Sequence, residues 1–499
     1  MPTDHIIALH YFDDVEIFQA VVVDFALRFD DVLDHEKLRL ALERLMQIGN
    51  WRKLGARLRR NVRLFLQICG TCLFVDADNS RQGQGKLEYH IPTSYDEKRP
   101  GFIYEQVEYA AKIGEHPIGC KIPRATSRPL VAGNVAELKP LTRSPDTPTT
   151  INDFLYSDRP QLSIKITSFE DATLVSLSWP HTFLDAMGRV ALFKNWIAVL
   201  EGREQDVQPL HGYDSDPLIT LGTKPTEPSA LAGRQIQGFS FFIFILRYLH
   251  ELLWYPREES RVVCLPGHFI QGLKQEALED LSKEEQKGDN KPFLSDGDII
   301  CAWWSRRVME VLRPASYRTV AIMNSFGLRA ALSRDLLPAD RAYLSNASLG
   351  IYAFTSVRDI LTKRLGVIAS KVRESIAQQG TREQIEAFTA LARDSIAIKG
   401  RGAIFGDSSS IYVVMTNWSA AKFFEVDLSA AVIKEGLPRE VRANALGKPS
   451  YVHGDSIFTG YSARCAFPIM GKDAAGNYWL SGTLRKGLWS EIERTLEVL

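Results

Sequence analysis

The amino-acid sequence predicts an α/β protein of two lobes, each with a sheet flanked by helices. The chain has 499 residues, which exceeds the size at which one hydrophobic core keeps growing, so we expect two domains of about 200 to 250 residues each. Segments with the hydrophobic spacing of strands and of helices alternate in both halves, which is typical of α/β proteins. A composition of 45% hydrophobic and 24% charged residues is that of an ordinary globular protein.

The first half opens with an amphipathic helix, which follows three aspartates between residues 30 and 34. The apolar face of this helix consists of Leu38, Ala41, Leu42 and Leu45. Residues 63–76 have the composition of a strand, and the prolines and polar residues at 143–148 predict a loop.

A β-hairpin is predicted next. Residues 162–167 and 175–179 each alternate apolar and polar side chains at period two, with two acidic residues between them as a turn. The second strand ends at His181, and residues 186–200 continue with helical spacing and no proline. The sequence therefore places His181 between a strand and a helix, where α/β enzymes commonly hold reacting groups.

The prolines and polar residues at 205–233 predict a crossover to the second half. We expect a first lobe at residues 1–215, a linker at 216–260 and a second lobe at 261–499. In the second lobe, strands are predicted at 262–265, 411–416, 463–467 and 478–484, and helices at 271–285 and 489–496.

The longest apolar run covers residues 238–246 and ends before Arg247. It is far shorter than the roughly 18 residues that a membrane-spanning helix needs. We favour a buried or groove-packed segment over contact with a membrane surface.

Composition also excludes some classes of protein. A formal net charge of zero argues against a nucleic-acid binder, because phosphate contacts require a basic excess. The N-terminus has no basic region followed by an apolar stretch, so we expect no signal peptide, a cytoplasmic location and reduced cysteines. Cys69 and Cys72 have no second pair of ligands at zinc-site spacing, so no metal site is predicted.

The most informative motif is His181-Thr-Phe-Leu-Asp185, which sets an imidazole and a carboxylate four residues apart. Histidine suits general-base catalysis because its ordinary pKa is about 6.5. The spacing alone is weak evidence, since His10 and Asp14 repeat it without a flanking strand and helix. The strand and helix around His181 are what favour a catalytic site.

Several segments in order resemble the BAHD acyltransferases, and most closely their fungal branch of trichothecene acetyltransferase-like enzymes. The resemblance rests on residues 51–58, on 159–162, on the HxxxD motif at 181–185, on 295–304, on Tyr-Leu-Ser-Asn-Ala at 343–347 and on the Trp-to-Asp spacing in 415–427. The chain departs from the family at residues 428–431, where Leu-Ser-Ala-Ala replaces Phe-Gly-Trp-Gly, and it keeps one arginine, Arg329, of the family's Asp-x-Arg-x-Arg run.

The resemblance implies two lobes similar to chloramphenicol acetyltransferase subunits, with mixed sheets and the active site in a channel between them. It also implies that His181 takes a proton from the acceptor, which attacks the acyl carbonyl of acyl-CoA, and that no covalent enzyme intermediate forms. The expected enzyme is a monomer without a bound cofactor, and its donor is expected to be acetyl-CoA. Its expected acceptor is a hydroxyl of a small secondary metabolite.

The resemblance implies supporting roles for other residues. Asp185 is expected to brace the loop by pairing with an arginine, Arg329 by resemblance. Helical spacing alone leaves open that Asp185 orients the imidazole instead. Thr416, Asn417 and Trp418 are expected to line the substrate pocket, and Asp427 is expected to be a structural partner.

Three alternatives remain at this point. The same fold could take acyl groups from a carrier protein, as condensation domains do, or His181 could serve another proton transfer. A non-catalytic binding or regulatory protein is the third alternative, motivated by the change at residues 428–431. The intact His181 and Asp185 argue against it.

Overall fold

Strands and helices interleave along the described part of the chain, as the sequence predicts. The computed structural model describes residues 4–61, 86–284 and 292–498. The strands are β1 His5–Ala8, β2 Val21–Phe29, β3 Asp31–Leu33, β4 Arg57–Arg60, β5 Leu87–Ile91, β6 Ile103–Glu108, β7 Leu130–Asn134, β8 Ser163–Ser168, β9 Thr173–Pro180, β10 Glu258–Leu265, β11 Thr319–Gly327, β12 Ser348–Ser356, β13 Ile411–Asn417, β14 Val432–Glu435, β15 Pro449–Phe458, β16 Ala466–Lys472 and β17 Tyr478–Arg485. The helices are α1 Glu16–Gln19, α2 His35–Gln47, α3 Lys139–Thr142, α4 Ile151–Leu155, α5 Ala186–Leu200, α6 Gly238–Trp254, α7 Gly267–Glu284, α8 Asp296–Leu312, α9 Val357–Thr362, α10 Leu365–Gln379, α11 Arg382–Lys399 and α12 Leu488–Glu497.

The first lobe is built on a five-stranded sheet in the order β15-β2-β9-β8-β6. The predicted hairpin is confirmed, since β8 and β9 pair antiparallel with Ser163 opposite Ser178. Both faces of the hairpin are buried, although its alternation predicts one polar face. The reason is that the segment around α3 covers that face, where Thr167 donates to the Leu141 carbonyl at 2.9 Å and Lys165 to the Pro140 carbonyl at 3.1 Å.

Helix α2 confirms the predicted amphipathic helix, with all four predicted core residues buried. Asp34 caps its N-terminus by accepting a hydrogen bond from the Lys37 amide at 2.9 Å. Such caps stabilise helices because the first turn leaves backbone donors without partners. The helix packs on α5, where Trp196 donates to the carbonyl of Leu38 at 3.0 Å.

The second lobe is built on a mixed seven-stranded sheet in the order β12-β11-β13-β16-β17-β10-β7. Strand β13 is parallel to both β11 and β16, and the other pairs are antiparallel. Helix α8 begins with a capping box in which Ser295 and Asp298 satisfy each other's backbone amides. The strands predicted at 262–265, 411–416 and 478–484 lie within β10, β13 and β17.

The two lobes exchange strands. Strand β7, from the first half of the chain, joins the second sheet beside β10, and β15, from the second half, joins the first sheet beside β2. Each lobe therefore contains chain from both sides of the predicted linker. The division at residues 215 and 261 stays a prediction of where the chain crosses over.

The apolar run at 238–246 is predicted to be buried or packed in a groove, and the structure contradicts the first of these two descriptions. The run forms part of α6, none of whose residues is buried, and Phe239 and Phe242 are 76% and 56% exposed. The helix contacts the second lobe through Phe244, which packs on Tyr412, and through two polar side chains, since Arg247 donates to the Ser408 carbonyl and Glu251 pairs with Arg485. Within the described ranges, no helix is both long enough and apolar enough to cross a bilayer.

Two sequence interpretations lie outside the described residues, namely the strand at 63–76 and the pair Cys69 and Cys72. The cysteines at 120, 264, 301 and 465 are described and are all free thiols.

Candidate functional site

His181 follows β9 directly and lies where the two lobes meet. Its amide donates to the carbonyl of Val21 at 2.9 Å, which extends the pairing of β9 with β2 by one residue. The imidazole stacks on Phe18 with ring centroids 4.3 Å apart and the planes 2° from parallel. The residue as a whole is half-buried, and the stacking on Phe18 holds the ring in place.

Burial lowers the pKa of His181 below its ordinary value of 6.5, and its own carbonyl and the charge of Asp185 oppose this effect in part. The positive charge of Arg189 lowers the pKa further. The imidazole is therefore neutral at physiological pH and can accept a proton. Its Nδ1 atom is buried and makes no hydrogen bond to any described residue.

Asp185 caps the N-terminus of α5 and accepts hydrogen bonds on both carboxylate oxygens. Oδ1 accepts from the Gly188 amide at 2.8 Å and Oδ2 from the Ala347 amide at 3.0 Å. Arg329 donates to both oxygens at 2.9 Å in a bidentate pair. Burial raises the pKa of Asp185, yet Arg329 and the two amides outweigh burial and hold that pKa below its ordinary range.

These contacts decide how Asp185 can act. Both oxygens are engaged by Arg329 and by backbone amides, and the Nδ1 atom of His181 has no hydrogen bond within the described part of the chain. The carboxylate therefore makes no hydrogen bond to the Nδ1 atom of the imidazole. This geometry supports the bracing role over the orienting role that helical spacing left open.

Residues 343–347 of the second lobe lie against the start of α5. The guanidinium of Arg329 also donates to the carbonyls of Tyr343 at 3.1 Å and Ser345 at 2.8 Å. Gly188 permits this close approach, because a Cβ atom there would lie 2.1 Å from the Leu344 carbonyl oxygen. The HxxxD segment and the Tyr-x-x-Asn-Ala segment are thus held as one unit across the lobes.

Asn346 also holds the backbone of His181 and is itself held by Asp13, and sequence reasoning assigned neither residue to the site. The side-chain amide of Asn346 donates to the His181 carbonyl and to Asp13, both at 2.8 Å. Burial raises the pKa of Asp13 to about 7, although nearby Lys53 and the donors of Asn346 act against it. Asn346 belongs to the motif at 343–347 and could have been found there, whereas Asp13 belongs to no recognised motif.

Arg189 is a buried cation that sequence reasoning also missed. Its guanidinium carbon lies 4.2, 4.4, 4.8 and 5.2 Å from the ring centroids of Trp418, Phe25, Phe423 and Trp179. Its Nε and Nη1 atoms are buried without a hydrogen-bond partner among the described residues. Burial lowers the pKa of Arg189 to about 9, so the group is still charged at neutral pH. An arginine four residues after Asp185, among the apolar residues of the first half of the helix, was the available signal.

The three expected pocket residues lie at the end of β13. Trp418 contacts Arg189 and donates from its indole to Thr416 at 3.0 Å. Asn417 is exposed, and its side-chain amide lies against Gly297 at the start of α8. Trp418 and Thr416 are thereby connected to α5, whereas Asn417 lies next to α8.

Asp427 lies apart from the site, where it accepts a hydrogen bond from the Ser429 amide at 3.0 Å. Residues 428–431, which replace the family's Phe-Gly-Trp-Gly, form a turn that packs against the first lobe. Within it, the Ala431 carbonyl accepts from the Asp34 amide at 2.7 Å, just ahead of α2. The departure from the family pattern therefore leaves an ordered interlobe contact.

In the described part of the chain, no group of three or more His, Cys, Asp or Glu side chains could hold a metal ion.

Comparisons with known proteins place these features in a family. The model of the Transferase family matches residues 132–430. The protein named transcriptional regulator calD of Penicillium decumbens is 42% identical over 99% of this chain and 96% of its own length. Acetyltransferase sphE of Aspergillus fumigatus is 38% identical over 99% of this chain and 95% of its own length. The crystal structure of F. sporotrichioides TRI101, complexed with coenzyme A and T-2, superposes with a TM-score of 0.66 at 14% identity and covers 98% of this chain and 97% of that one.

Proposed function

Because this chain belongs to the Transferase family of BAHD acyltransferases and is an acyltransferase, we propose that it moves an acetyl group from acetyl-CoA to a hydroxyl of a small secondary metabolite. His181 is the general base of this proposal. One observation carries it: a neutral, half-buried imidazole is fixed at the junction of the lobes by residues of both. A rigid position near a reacting hydroxyl is what general-base catalysis requires.

The proposed reaction proceeds in two steps without an acyl-enzyme. His181 removes the proton of the acceptor hydroxyl as its oxygen forms a bond to the carbonyl carbon of the thioester. The tetrahedral intermediate then breaks the bond between carbon and sulfur, and the imidazolium returns its proton to the coenzyme A thiolate. Atoms and charge balance, because one ester and one free thiol form from one alcohol and one thioester.

Thr416, Asn417 and Trp418 are the proposed pocket residues, and Asp185 and Arg329 are the proposed brace. The bidentate ion pair supports the bracing role, and the contact between Trp418 and Arg189 supports a pocket next to α5. Asp427 is proposed as a local structural residue. We further propose a cytoplasmic monomer that holds no cofactor apart from its acyl-CoA substrate.

The donor is tested by measuring release of free thiol from acetyl-CoA in the presence of fungal secondary metabolites that carry free hydroxyl groups. We expect thiol release that depends on both enzyme and acceptor, with the matching acetyl ester as product. Two of the similar proteins support this choice, since sphE is named an acetyltransferase and TRI101 was crystallised with coenzyme A. Transfer from an acetylated carrier protein, with none from acetyl-CoA, would favour the condensation-type alternative.

The pH dependence of kcat/KM tests the role of His181 separately. A general base must be neutral, so the rate falls as pH decreases through its pKa, and burial places that pKa below 6.5. We expect an acid limb with its midpoint below pH 6.5. In Arg189→Met the midpoint should move upward, because a positive charge that lowers the pKa of His181 has been removed. A midpoint above 6.5 in the wild type would contradict the assignment.

A further inference from the structure

Helix α6 carries a continuous apolar stripe on the outside of the protein. Its members recur at helical spacing and are Phe239, Phe242, Leu246, Leu249 and Leu253, with exposures of 76, 56, 50, 47 and 81%. Trp254, at the end of the helix, is 70% exposed. Single exposed apolar residues need no explanation, but a stripe along a whole helix marks an interaction surface.

The inward side of α6 is anchored to the second lobe by polar and aromatic contacts, so the stripe has a fixed outward orientation. Arg247 donates to the Ser408 carbonyl at 2.9 Å, and Glu251 pairs with Arg485 at 3.5 Å. Phe244 packs edge-on against Tyr412 with centroids 6.0 Å apart. These contacts hold the helix in place without covering its apolar stripe.

The size of the stripe argues against a second copy of the chain as its partner. A helix of 17 residues is about 26 Å long at 1.5 Å per residue. An apolar strip roughly 10 Å wide along it offers a footprint of about 250 Å², well below the roughly 800 Å² that each partner of a stable dimer buries. A bilayer surface has no such area requirement, because apolar side chains insert among its acyl chains individually.

Charge and aromatic placement favour a bilayer with anionic lipid. The one acidic residue of α6 is Glu251, which is turned inward against Arg485, so the outward side carries no negative charge. Beyond the C-terminal end, Arg257 and Lys486 are both exposed and adjacent, since the Lys486 amide donates to the Arg257 carbonyl at 2.9 Å. Trp254 is exposed and lies in the sequence between the stripe and Arg257, and tryptophan is enriched at membrane interfaces.

We propose that α6 docks the protein on a membrane surface that contains anionic lipid. The helix lies parallel to the bilayer with its apolar stripe inserted at the level of the headgroups, and Arg257 and Lys486 contact lipid phosphates or carboxylates. This surface is separate from His181, and the proposal does not depend on the reaction assigned to the site.

The test is co-sedimentation of the full chain with vesicles of phosphatidylcholine containing 30% phosphatidylserine, which is about a typical anionic fraction for such assays. We expect the wild type to sediment with these vesicles and to bind pure phosphatidylcholine at least about fivefold less. Leu246→Glu should reduce binding at least about tenfold, because it places a charge in the inserted stripe. Leu40→Glu is the matched control, since Leu40 lies on α2 and is also 50% exposed, and it should bind as the wild type does.

Two further measurements make the outcome decisive. Thermal unfolding and thiol release should be the same in Leu246→Glu and wild type, which excludes misfolding as the cause of lost binding. Light scattering at the same concentrations should give a monomer for both. Undiminished vesicle binding by Leu246→Glu would overturn the proposal. So would a wild-type dimer that Leu246→Glu dissociates, or failure of the wild type to bind vesicles.

Discussion

Replacement of His181 with alanine is expected to lower the rate of acyl transfer by on the order of 10² to 10⁴-fold, the range that a positioned general base contributes. The structure supports an effect on the reaction rate alone, with the fold preserved. The Nδ1 atom makes no hydrogen bond to a described residue, and the backbone of His181 is held by Asn346 and Val21 whichever side chain is present. We therefore expect the free energy of unfolding to change by no more than about 1 kcal/mol. Steady-state thiol release and thermal unfolding measure the two effects.

The matched control is His90→Ala. His90 is also a partly buried histidine of the first lobe, with 16% of its side chain exposed and a contact of 2.8 Å to Glu88. It should retain activity near that of the wild type. Equal losses of activity in the two variants would mean that a general effect of removing a histidine, and not proton transfer, accounts for the result.

Replacement of Asp185 with alanine is expected to lower both stability and activity. The change removes the partner of the half-buried Arg329 and leaves two amides without their acceptor, those of Gly188 and Ala347. Breaking a buried ion pair in this way costs about 3 to 5 kcal/mol. Activity should fall as well, because the start of α5 and residues 343–347 are no longer held together beside His181. Chemical denaturation measures the first effect and thiol release the second.

The exposed pair of Arg44 and Glu204 is a suitable control, with 51% and 40% of the side chains exposed. Glu204→Ala should cost less than about 1 kcal/mol, since surface ion pairs contribute little. In a double-mutant cycle, Asp185→Ala and Arg329→Leu together should destabilise the protein by less than the sum of the single changes. Wild-type stability of Asp185→Ala would contradict the brace.

Local hydrophobic patterns correctly predicted the elements whose buried side chains recur at the spacing of a strand or a helix. The period-two alternation of the hairpin and the 3.6-residue spacing of α2 appear directly in the structure. The position of His181 between β9 and α5 follows from the same reasoning, because a change of period marks the junction of a strand and a helix. The number of lobes followed from chain length and from the alternation of strands and helices, whereas their expected likeness to chloramphenicol acetyltransferase subunits came from the family resemblance.

Properties that depend on distant chain segments could not be predicted this way. The polar face of the hairpin predicted contact with water, but residues near α3 bury it and accept its hydrogen bonds. Asp13 reaches the site through Asn346, which is 333 residues away in the chain. Helix α6 has the composition of a buried helix, but its stripe faces outward because other residues of the helix, Phe244, Arg247 and Glu251, make the contacts with the second lobe.

A single-turnover experiment with labelled acetyl-CoA tests the central claim most directly, because it separates the chemical step from product release. Enzyme in excess is mixed with the labelled donor and with an alcohol that supports thiol release, and the label is followed into ester. Wild type should transfer the label within one turnover. His181→Ala should bind both substrates, as measured by calorimetry, and transfer almost none in the same time. Transfer by His181→Ala at the wild-type rate would show that another group serves as the base.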